Sequence, residues 1–458
     1  MQVRTNISIL AKSLIALTAL SGAASAEVIS VTVDKSQPFD EVSGYQYIEA
    51  TMKGNVHRDD GSEGEYSVPI VLIYPQENGN GIGVVDLPNS APIHLMPGAG
   101  EEWILQHTRT TTENYLFETG YTYISVQWDK LVTDTFGAVP PDDGSEFNHL
   151  AYGTIERGDD AFQIIRDAAS FLRDPVAFAD AGGPAPVDTV LSFGYSQTGA
   201  LINTFLARGE NANGAFDGNL IGKWGLACVS YQDEPPFIIE SDPVPCPAHP
   251  ASDPSVSIMI ASETDVIAFF AHFARSDAEN WRSYELAGVS HIPASIIPGF
   301  HPNQNYANSQ PVFRAAFENL GLWAADDIPA PPSKHISGTI EADDSFLIDV
   351  DADGNALGGL RLPHMEQLID GKVGGAPLGY YIPINPVDDI FVMVAGLFLP
   401  FSDAELAERY PTPGSYVSRV ARAAEHLESN GYILPHDKDT YVQEAAQSGI
   451  GRQAESRR

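Results

Sequence analysis

The sequence has 458 residues, of which 43% are hydrophobic and 19% are charged, a composition typical of a globular protein with enough chain for a large core or two packed units. Asp and Glu number 61 against 25 Lys and Arg, which gives a formal net charge of −36 at pH 7. This negative surface excludes nucleic acid and anionic membranes as partners, and it admits a neutral or cationic substrate more easily than a polyanion.

The first 26 residues have the pattern of a secretion signal. Arg4 and Lys12 precede a short apolar stretch at 14–20, and the Ala-Ser-Ala tripeptide at 24–26 supplies the small residues that a signal peptidase needs. Neither this stretch nor any later one is long enough to span a bilayer, so we expect no stable membrane insertion. The pattern predicts a signal peptide at 1–26 and an exported protein, periplasmic or secreted.

Cys228 and Cys246 are the only two cysteines in the sequence. In an oxidising compartment such a pair most simply forms one disulfide that closes a loop, rather than a metal or redox site. We therefore predict a Cys228–Cys246 disulfide. The sequence shows no cofactor motif, and we expect neither a cofactor nor a catalytic metal.

Apolar runs alternate with polar turns in the first part of the chain, a pattern typical of strands. The first three runs predict an antiparallel entrance to a sheet, and the later alternation of strands and helices favours a parallel sheet flanked by helices. The predicted elements, in chain order, are strands at 28–33, 45–52, 66–74 and 84–87, a helix within 101–118, a strand at 121–127 and a helix at 162–172.

The most informative stretch, residues 187–200, begins as an apolar, β-branched run typical of a buried strand. Apolar residues then recur at helical spacing between 201 and 206, so the chain turns sharply from strand to helix around Ser196. Gly194 lets the backbone bend, and Gly199 lets the helix approach the strand closely. We interpret this strand, turn and helix as a nucleophile elbow.

Ser196 is predicted to lie at the tip of the turn with its hydroxyl projecting from the sheet edge. The N–H of Gln197 would point at the space where an oxyanion forms, and the N–H of Asn89 is the predicted second donor, because the proline before it has none. The usual motif has glycine two residues after the serine, where this sequence has Thr198. The alternative interpretation is that Ser196 only caps a helix.

Acidic and imidazole side chains follow two later strands. Glu263 and Asp265 come directly after a strand predicted at 256–260, and His291 follows the next predicted strand. The carboxyl ends of parallel strands share one edge of a sheet, so these groups are expected to face Ser196. We predict a triad of Ser196, His291 and Asp265, with Glu263 as the alternative acid. A packed histidine and a helix-capping acid pair are the other interpretations.

The order serine, acid, histidine, each just after a strand, is the order of α/β hydrolases. Beyond the superfamily, the sequence resembles a particular bacterial branch of it, made of long, exported proteins with a hydrolase domain. The resemblance covers about 45–446. Its motifs are Val84-Val-Asp-Leu-Pro-Asn89, Gly120-Tyr-Thr-Tyr-Ile-Ser-Val-Gln127, Gly194-Tyr-Ser-Gln-Thr-Gly199, Phe216-Asp-Gly218, Ser262-Glu-Thr-Asp-Val266, Glu285-Leu-Ala-Gly-Val-Ser-His291 and Gly354-Asn-Ala-Leu-Gly-Gly-Leu-Arg-Leu-Pro363.

This resemblance implies an α/β-hydrolase fold and an esterase-like serine hydrolase, without implying a substrate. The expected partner is a small-molecule or polymeric ester, and the expected pH–rate profile falls below about pH 6.5, where an ordinary imidazole takes up a proton. An amidase, an acyltransferase or a polyester depolymerase on the same fold stays open, as does a non-catalytic exported binding protein. Nothing in the sequence indicates the oligomeric state.

The remaining chain is predicted to form a C-terminal extension that packs near the mouth of the active site. A proline cluster at 328–332 marks the boundary, so we divide the mature chain into a catalytic core at 27–328, an extension at 329–450 and a disordered tail at 451–458. The apolar run 391–399 is either a core segment or a lid. The predicted elements from residue 220 are strands at 220–229, 256–260 and 282–287, a helix at 313–323, a capping box at 402–405 and a helix at 415–429.

The acidic run at 349–354 alternates carboxylates ahead of a glycine, as a calcium-binding loop does. Its twelfth position is Leu360 rather than the bidentate glutamate that such a loop needs. We therefore predict an acidic turn.

Overall fold

The computed structural model describes residues 28–89, 111–130, 154–174, 183–225, 228, 253–275, 278–294, 299, 301–342, 344–365, 376–387 and 390–452. The predicted signal peptide, Cys246 and residues 453–458 of the predicted tail lie outside the described residues. The signal peptide, the Cys228–Cys246 disulfide and the disordered tail therefore stay predictions.

Three long antiparallel strands form the first part of the sheet. They are β1 (Val28–Pro38), β2 (Tyr45–His57) and β3 (Glu63–Pro75), and β2 pairs with β3 along its whole length, from Tyr45 opposite Pro75 to His57 opposite Glu63. The predicted antiparallel entrance is confirmed. The strands are longer than predicted because their polar ends, which alternate with buried residues, are also paired across the ladder.

A parallel block continues this sheet. Its strands are β4 (Ile82–Leu87), β5 (Thr122–Val126), β6 (Thr189–Tyr195), β7 (Gly218–Gly222), β8 (Val256–Ser262), β9 (Trp281–Ala287) and β12 (Leu360–Arg361). Among the described strands the order is β1-β2-β3-β5-β4-β6-β7-β8-β9-β12, and every neighbouring pair from β5 to β12 is parallel. The carboxyl ends of these parallel strands therefore meet at one edge.

Helices flank the sheet, and in the described part of the chain two small hairpins lie apart from it. The hairpins pair β10 (Gly338–Ile340) with β11 (Phe346–Ile348) and β13 (Gly379–Ile382) with β14 (Leu397–Pro400). The described helices are α1 (Tyr115–Glu118), α2 (Asp160–Arg173), α3 (Gln197–Ala207), α4 (Glu263–Ala268), α5 (Gln310–Asp326), α6 (Ile390–Ala395), α7 (Asp403–Arg409), α8 (Pro413–Ser429) and α9 (Pro435–Gln447). A single 3-10 turn follows α4 at Ala271–Phe273.

The core lies between the parallel strands and their helices. All the residues of β4 after its first, and all those of β5, β6 and β7, are buried, so burial in these strands is continuous rather than alternating. On one face α5 packs Phe317 edge-on against Phe193 of β6, with ring centroids 5.1 Å apart. This contact anchors the strand that carries the predicted nucleophile.

The strand predicted at 220–229 ends too late in the sequence. We expected a strand at 220–229, but β7 ends at Gly222. The backbone of Lys223 adopts a φ of +51°, in the left-handed region, which cannot continue an extended strand.

The chain beyond residue 329 packs on the sheet. Lys334 exchanges backbone hydrogen bonds with Ser283 and Glu285 of β9, and β12 pairs with β9 at the sheet edge. The division into core and extension stays a prediction. The capping box at Ser402 and Glu405 is present at the start of α7.

Two carboxylates of the acidic run pair with arginines. Asp351 accepts a hydrogen bond from Arg361 at 2.7 Å, and both oxygens of Asp353 accept bonds from Arg409. Across the described part of the chain, no group of three acidic, histidine or cysteine side chains has the arrangement of a metal site. No described helix combines the length and apolar character needed to cross a membrane.

Candidate active site

Ser196 occupies a strained turn between β6 and α3. Its φ and ψ are +58° and −114°, values that a residue with a side chain rarely adopts, and its N–H donates to the carbonyl of Gly222 at 2.8 Å. Gly194 makes the turn possible, because a Cβ there would lie 2.4 Å from the carbonyl oxygen of Thr198. The strained backbone leaves the Ser196 side chain half-buried at the carboxyl end of the strand.

Thr198 explains why this elbow departs from the usual motif. The Thr198 hydroxyl accepts a hydrogen bond from the N–H of Tyr195 at 2.9 Å, so its side chain closes the turn. The close contact between helix and sheet falls one residue later, at Gly199, where a Cβ would lie 2.9 Å from the Gly222 carbonyl oxygen. Gly199 therefore allows the close packing of α3 against the sheet that the glycine of the usual motif allows one residue earlier.

His291 reaches Ser196 from the loop after β9. Its Nε2 lies 2.8 Å from the Ser196 Oγ. The backbone of His291 is held on both sides, because its N–H donates to the Thr264 hydroxyl at 3.1 Å and its carbonyl accepts from the Tyr195 hydroxyl at 2.9 Å. The backbone of His291 is thus held by contacts from both α4, which carries the acid, and β6, the strand that precedes the serine.

Asp265 completes a chain of two hydrogen bonds. Its Oδ1 lies 2.6 Å from the His291 Nδ1, and its Oδ2 accepts from the N–H and the hydroxyl of Ser262 at 2.6 and 2.7 Å. Burial alone raises the pKa of Asp265, but the charge and hydrogen bond of His291, the charge of Lys223 and the Ser262 hydroxyl outweigh it, so the pKa lies below its ordinary value. An ionised Asp265 fixes the tautomer in which Nδ1 carries the proton and Nε2 accepts from Ser196.

Glu263, the alternative acid, binds a backbone group instead of the imidazole. Its Oε2 accepts a hydrogen bond from the N–H of Gly288 at 2.6 Å, which holds the start of the histidine loop. Burial raises the pKa of Glu263 to about 7, against smaller opposing effects of the Gly288 N–H and the Arg361 charge. The structure therefore brings Asp265, and not Glu263, to the imidazole.

The two predicted oxyanion donors lie on neighbouring segments. Gln197 is the first residue of α3, directly after Ser196. Asn89 follows β4, and its side-chain oxygen accepts from the N–H and the hydroxyl of Thr198, both at 3.3 Å. The sequence interpretation considered only the backbone of Asn89. It missed these side-chain hydrogen bonds between the loop after β4 and the elbow. The oxyanion role of both residues stays a prediction.

Aromatic and aliphatic side chains form an apolar cluster beside His291. The ring of Phe269 lies 5.3 Å from the His291 ring and stacks on Trp224 at 4.9 Å. Phe269 and Met393 pack against a small buried pair, Ile292 and Val394. No sequence motif marks this cluster, because its members come from four segments that are distant along the chain.

The C-terminal segment contributes directly to this cluster. The N–H of Ile292 donates to the carbonyl of Val394 in α6 at 3.1 Å, and the Ser290 hydroxyl donates to the carbonyl of Ala395 at 2.9 Å. The apolar run at 391–399, which we expected as core or lid, therefore lies beside the histidine loop. Its described side chains range from the buried Val394 to the exposed Leu399.

Comparison with known proteins gives one family. A family described as "Alpha/beta hydrolase domain" matches residues 47–443, which is most of the chain. A search of curated proteins finds no match.

Solved structures with a similar arrangement share little sequence with this chain. Methylesterase BT1017 is 13% identical, with 67% of this chain and 60% of that one covered and a TM-score of 0.34. A CE15 glucuronoyl esterase from Teredinibacter turnerae T7901 is 14% identical, with 52% and 62% covered and a TM-score of 0.28. The rice cell wall degrading esterase LipA from Xanthomonas oryzae is 13% identical, with 44% and 52% covered and a TM-score of 0.28, so this chain spans about half its length. At such scores none of the three bears on the substrate of this chain.

Proposed function

This chain belongs to the α/β-hydrolase domain family, and we propose that it is an exported serine hydrolase that cleaves carboxylic esters through an acyl-enzyme. One observation carries the proposal: the hydrogen-bonded chain from the Ser196 hydroxyl through His291 to Asp265, with heavy-atom distances of 2.8 and 2.6 Å. Export rests on the signal pattern at 1–26 alone.

The proposed first step is acylation of Ser196. His291 Nε2 takes the hydroxyl proton as Oγ attacks the ester carbonyl, and the Asp265 carboxylate stabilises the imidazolium that forms. The N–H groups of Gln197 and Asn89 would stabilise the oxyanion. His291 then passes its proton to the departing alcohol, which leaves the acyl group on Ser196.

Deacylation repeats these roles with water. His291 removes a proton from a water molecule as its oxygen attacks the acyl carbonyl, and the proton then returns to the Ser196 oxygen when the carboxylic acid leaves. Because both steps need a neutral imidazole, activity is expected to fall in acid solution. The partly exposed Ser196 and Phe269 give an ester access to the reacting atoms from the apolar side of His291.

The test is hydrolysis of short-chain, long-chain and aromatic esters by purified mature protein and by Ser196→Ala. A matched control is Ser418→Ala, which removes an exposed hydroxyl from α8. Hydrolysis by the wild type and the control, and its loss in Ser196→Ala, would support the proposal. Turnover that survives in Ser196→Ala, or a wild type inert toward every ester and amide in the screen, would reject it.

A further inference from the structure

Lys223 is a fully buried lysine behind the proposed triad. Its side chain is 0% exposed, and it follows Gly222, whose carbonyl accepts the N–H of Ser196. Its own N–H donates to the carbonyl of Ile260 in β8 at 2.6 Å. Lysine is seldom buried in proteins without a charged or polar partner, so we expect the Lys223 ammonium to have such a partner.

The ammonium group reaches the loop that carries the histidine. Lys223 Nζ donates to the carbonyl of Ser290 at 3.2 Å, one residue before His291. It also attracts the Asp265 carboxylate, and the attraction favours the charged forms of both groups. Burial nevertheless lowers the pKa of Lys223 to about 7. The sequence interpretation did not single out this residue, since it placed Lys223 inside a strand.

We propose that Lys223 is a positioning residue of this site, whose ammonium holds the Ser290 carbonyl and, through its charge, disfavours protonation of the neighbouring imidazole. The inference rests on the proposed function, because it assigns the charge a role in keeping His291 available as a base. Lys223 does not touch the reacting atoms and acts through Asp265 and His291.

The direction of the effect follows from the charges around His291. Asp265 on α4 favours the imidazolium, and Lys223 after β7 opposes it. The Tyr195 hydroxyl on β6 contacts the His291 carbonyl and is neutral, because burial raises its pKa well above the ordinary value. Glu263 lies behind the loop, near Arg361 of β12. Loss of the Lys223 charge therefore favours the protonated imidazole, so the acid limb of the pH–rate profile moves to higher pH.

The experiment compares pH profiles of kcat/KM on a soluble ester. Lys223→Met removes the charge and the donor, Lys223→Gln removes the charge but keeps a donor, and Lys223→Arg keeps both. Lys53→Met, on the exposed face of β2, is the matched control for the change in net charge. Both neutral variants are expected to shift the midpoint of the acid limb upward by about 0.5–1 pH unit, an order-of-magnitude value for one nearby, partly compensated charge. Lys223→Arg and Lys53→Met are expected to keep the wild-type midpoint.

The same experiment separates this inference from the proposed function. If the wild type does not hydrolyse esters, the function fails. If the wild type is active and Lys223→Met and Lys223→Gln keep its midpoint, Lys223 has no electrostatic role and the inference is overturned. Circular dichroism and thermal melts check folding. If both neutral variants fail to fold, Lys223 is a structural residue, and that result also overturns the inference.

Discussion

The carboxylate of Asp265 lies 2.6 Å from Nδ1 of His291 because a helix cap fixes it there. The other carboxylate oxygen closes the capping box of α4 with the N–H and the hydroxyl of Ser262. One acidic side chain thus both begins a helix and orients an imidazole. Glu263, two residues earlier, points to Gly288 instead.

The first prediction separates the two acids. Asp265→Asn should lower kcat/KM by about 10³–10⁴-fold, because the amide favours the wrong imidazole tautomer and cannot stabilise the imidazolium. Glu263→Gln should stay within a few-fold of the wild type, since the amide oxygen can still accept from the Gly288 N–H. Steady-state kinetics on one ester measure both. The reverse ranking would make Glu263 the functional acid.

The second prediction concerns the pH dependence of stability. Burial raises the pKa of Glu263 in the folded protein to about 7, above its ordinary value of 4.5. Ionisation of this carboxyl therefore destabilises the folded protein increasingly as pH rises from about 4.5 to 7, and the destabilisation is complete above that. Glu263→Gln should therefore raise the free energy of unfolding at pH 8 by about 3 kcal/mol and change it little at pH 4. Urea denaturation at the two pH values measures the difference. An equal effect at both pH values would contradict a Glu263 pKa that is raised by burial.

The third prediction concerns the elbow. Gly194→Ala should destabilise the protein by about 2–4 kcal/mol, because its Cβ would lie 2.4 Å from a backbone oxygen that cannot move without breaking the turn. The matched control is Gly414→Ala in the first turn of α8, where a Cβ meets nothing within 4 Å and alanine favours the helix. Chemical denaturation of both variants gives the comparison, and similar stabilities would show that the elbow tolerates a side chain.

The fourth prediction concerns the apolar side of the site. Phe269→Ala should raise KM several-fold for esters with aromatic or long acyl groups, because it removes the partly exposed ring beside His291. An acetate ester, too small to reach this ring, serves as the internal control. An equal loss on both substrates would mean that Phe269 supports the imidazole rather than the substrate.

Much of the fold could be predicted because its signals are local. The buried strands are mostly apolar runs, and the turn at Ser196 is marked in the sequence by Gly194 and Gly199, so neither signal depends on distant contacts. The order of serine, acid and histidine then places the three side chains at one sheet edge through topology alone. Asp265 was preferred over Glu263 on position in its loop, and the capping contact with Ser262 supplies the physical reason.

The rest depends on tertiary contacts that no local pattern encodes. Lys223 looked like a strand residue, and only its left-handed backbone and burial show that it faces the histidine loop. Phe269, Val394 and the Asn89 side chain come from separate segments that meet at the site. Strand ends were also set by pairing rather than by composition, as the long β2 and β3 ladder shows.

Covalent labelling by a fluorophosphonate tests the central claim most directly. At pH 8 the wild type should gain one adduct by intact-mass analysis, mapped by peptide sequencing to Ser196, while Ser196→Ala and His291→Ala should gain none in the same time. Glu263→Gln should label like the wild type. An unlabelled wild type, an adduct on another residue, or labelling that persists without His291 would contradict a serine activated by this imidazole.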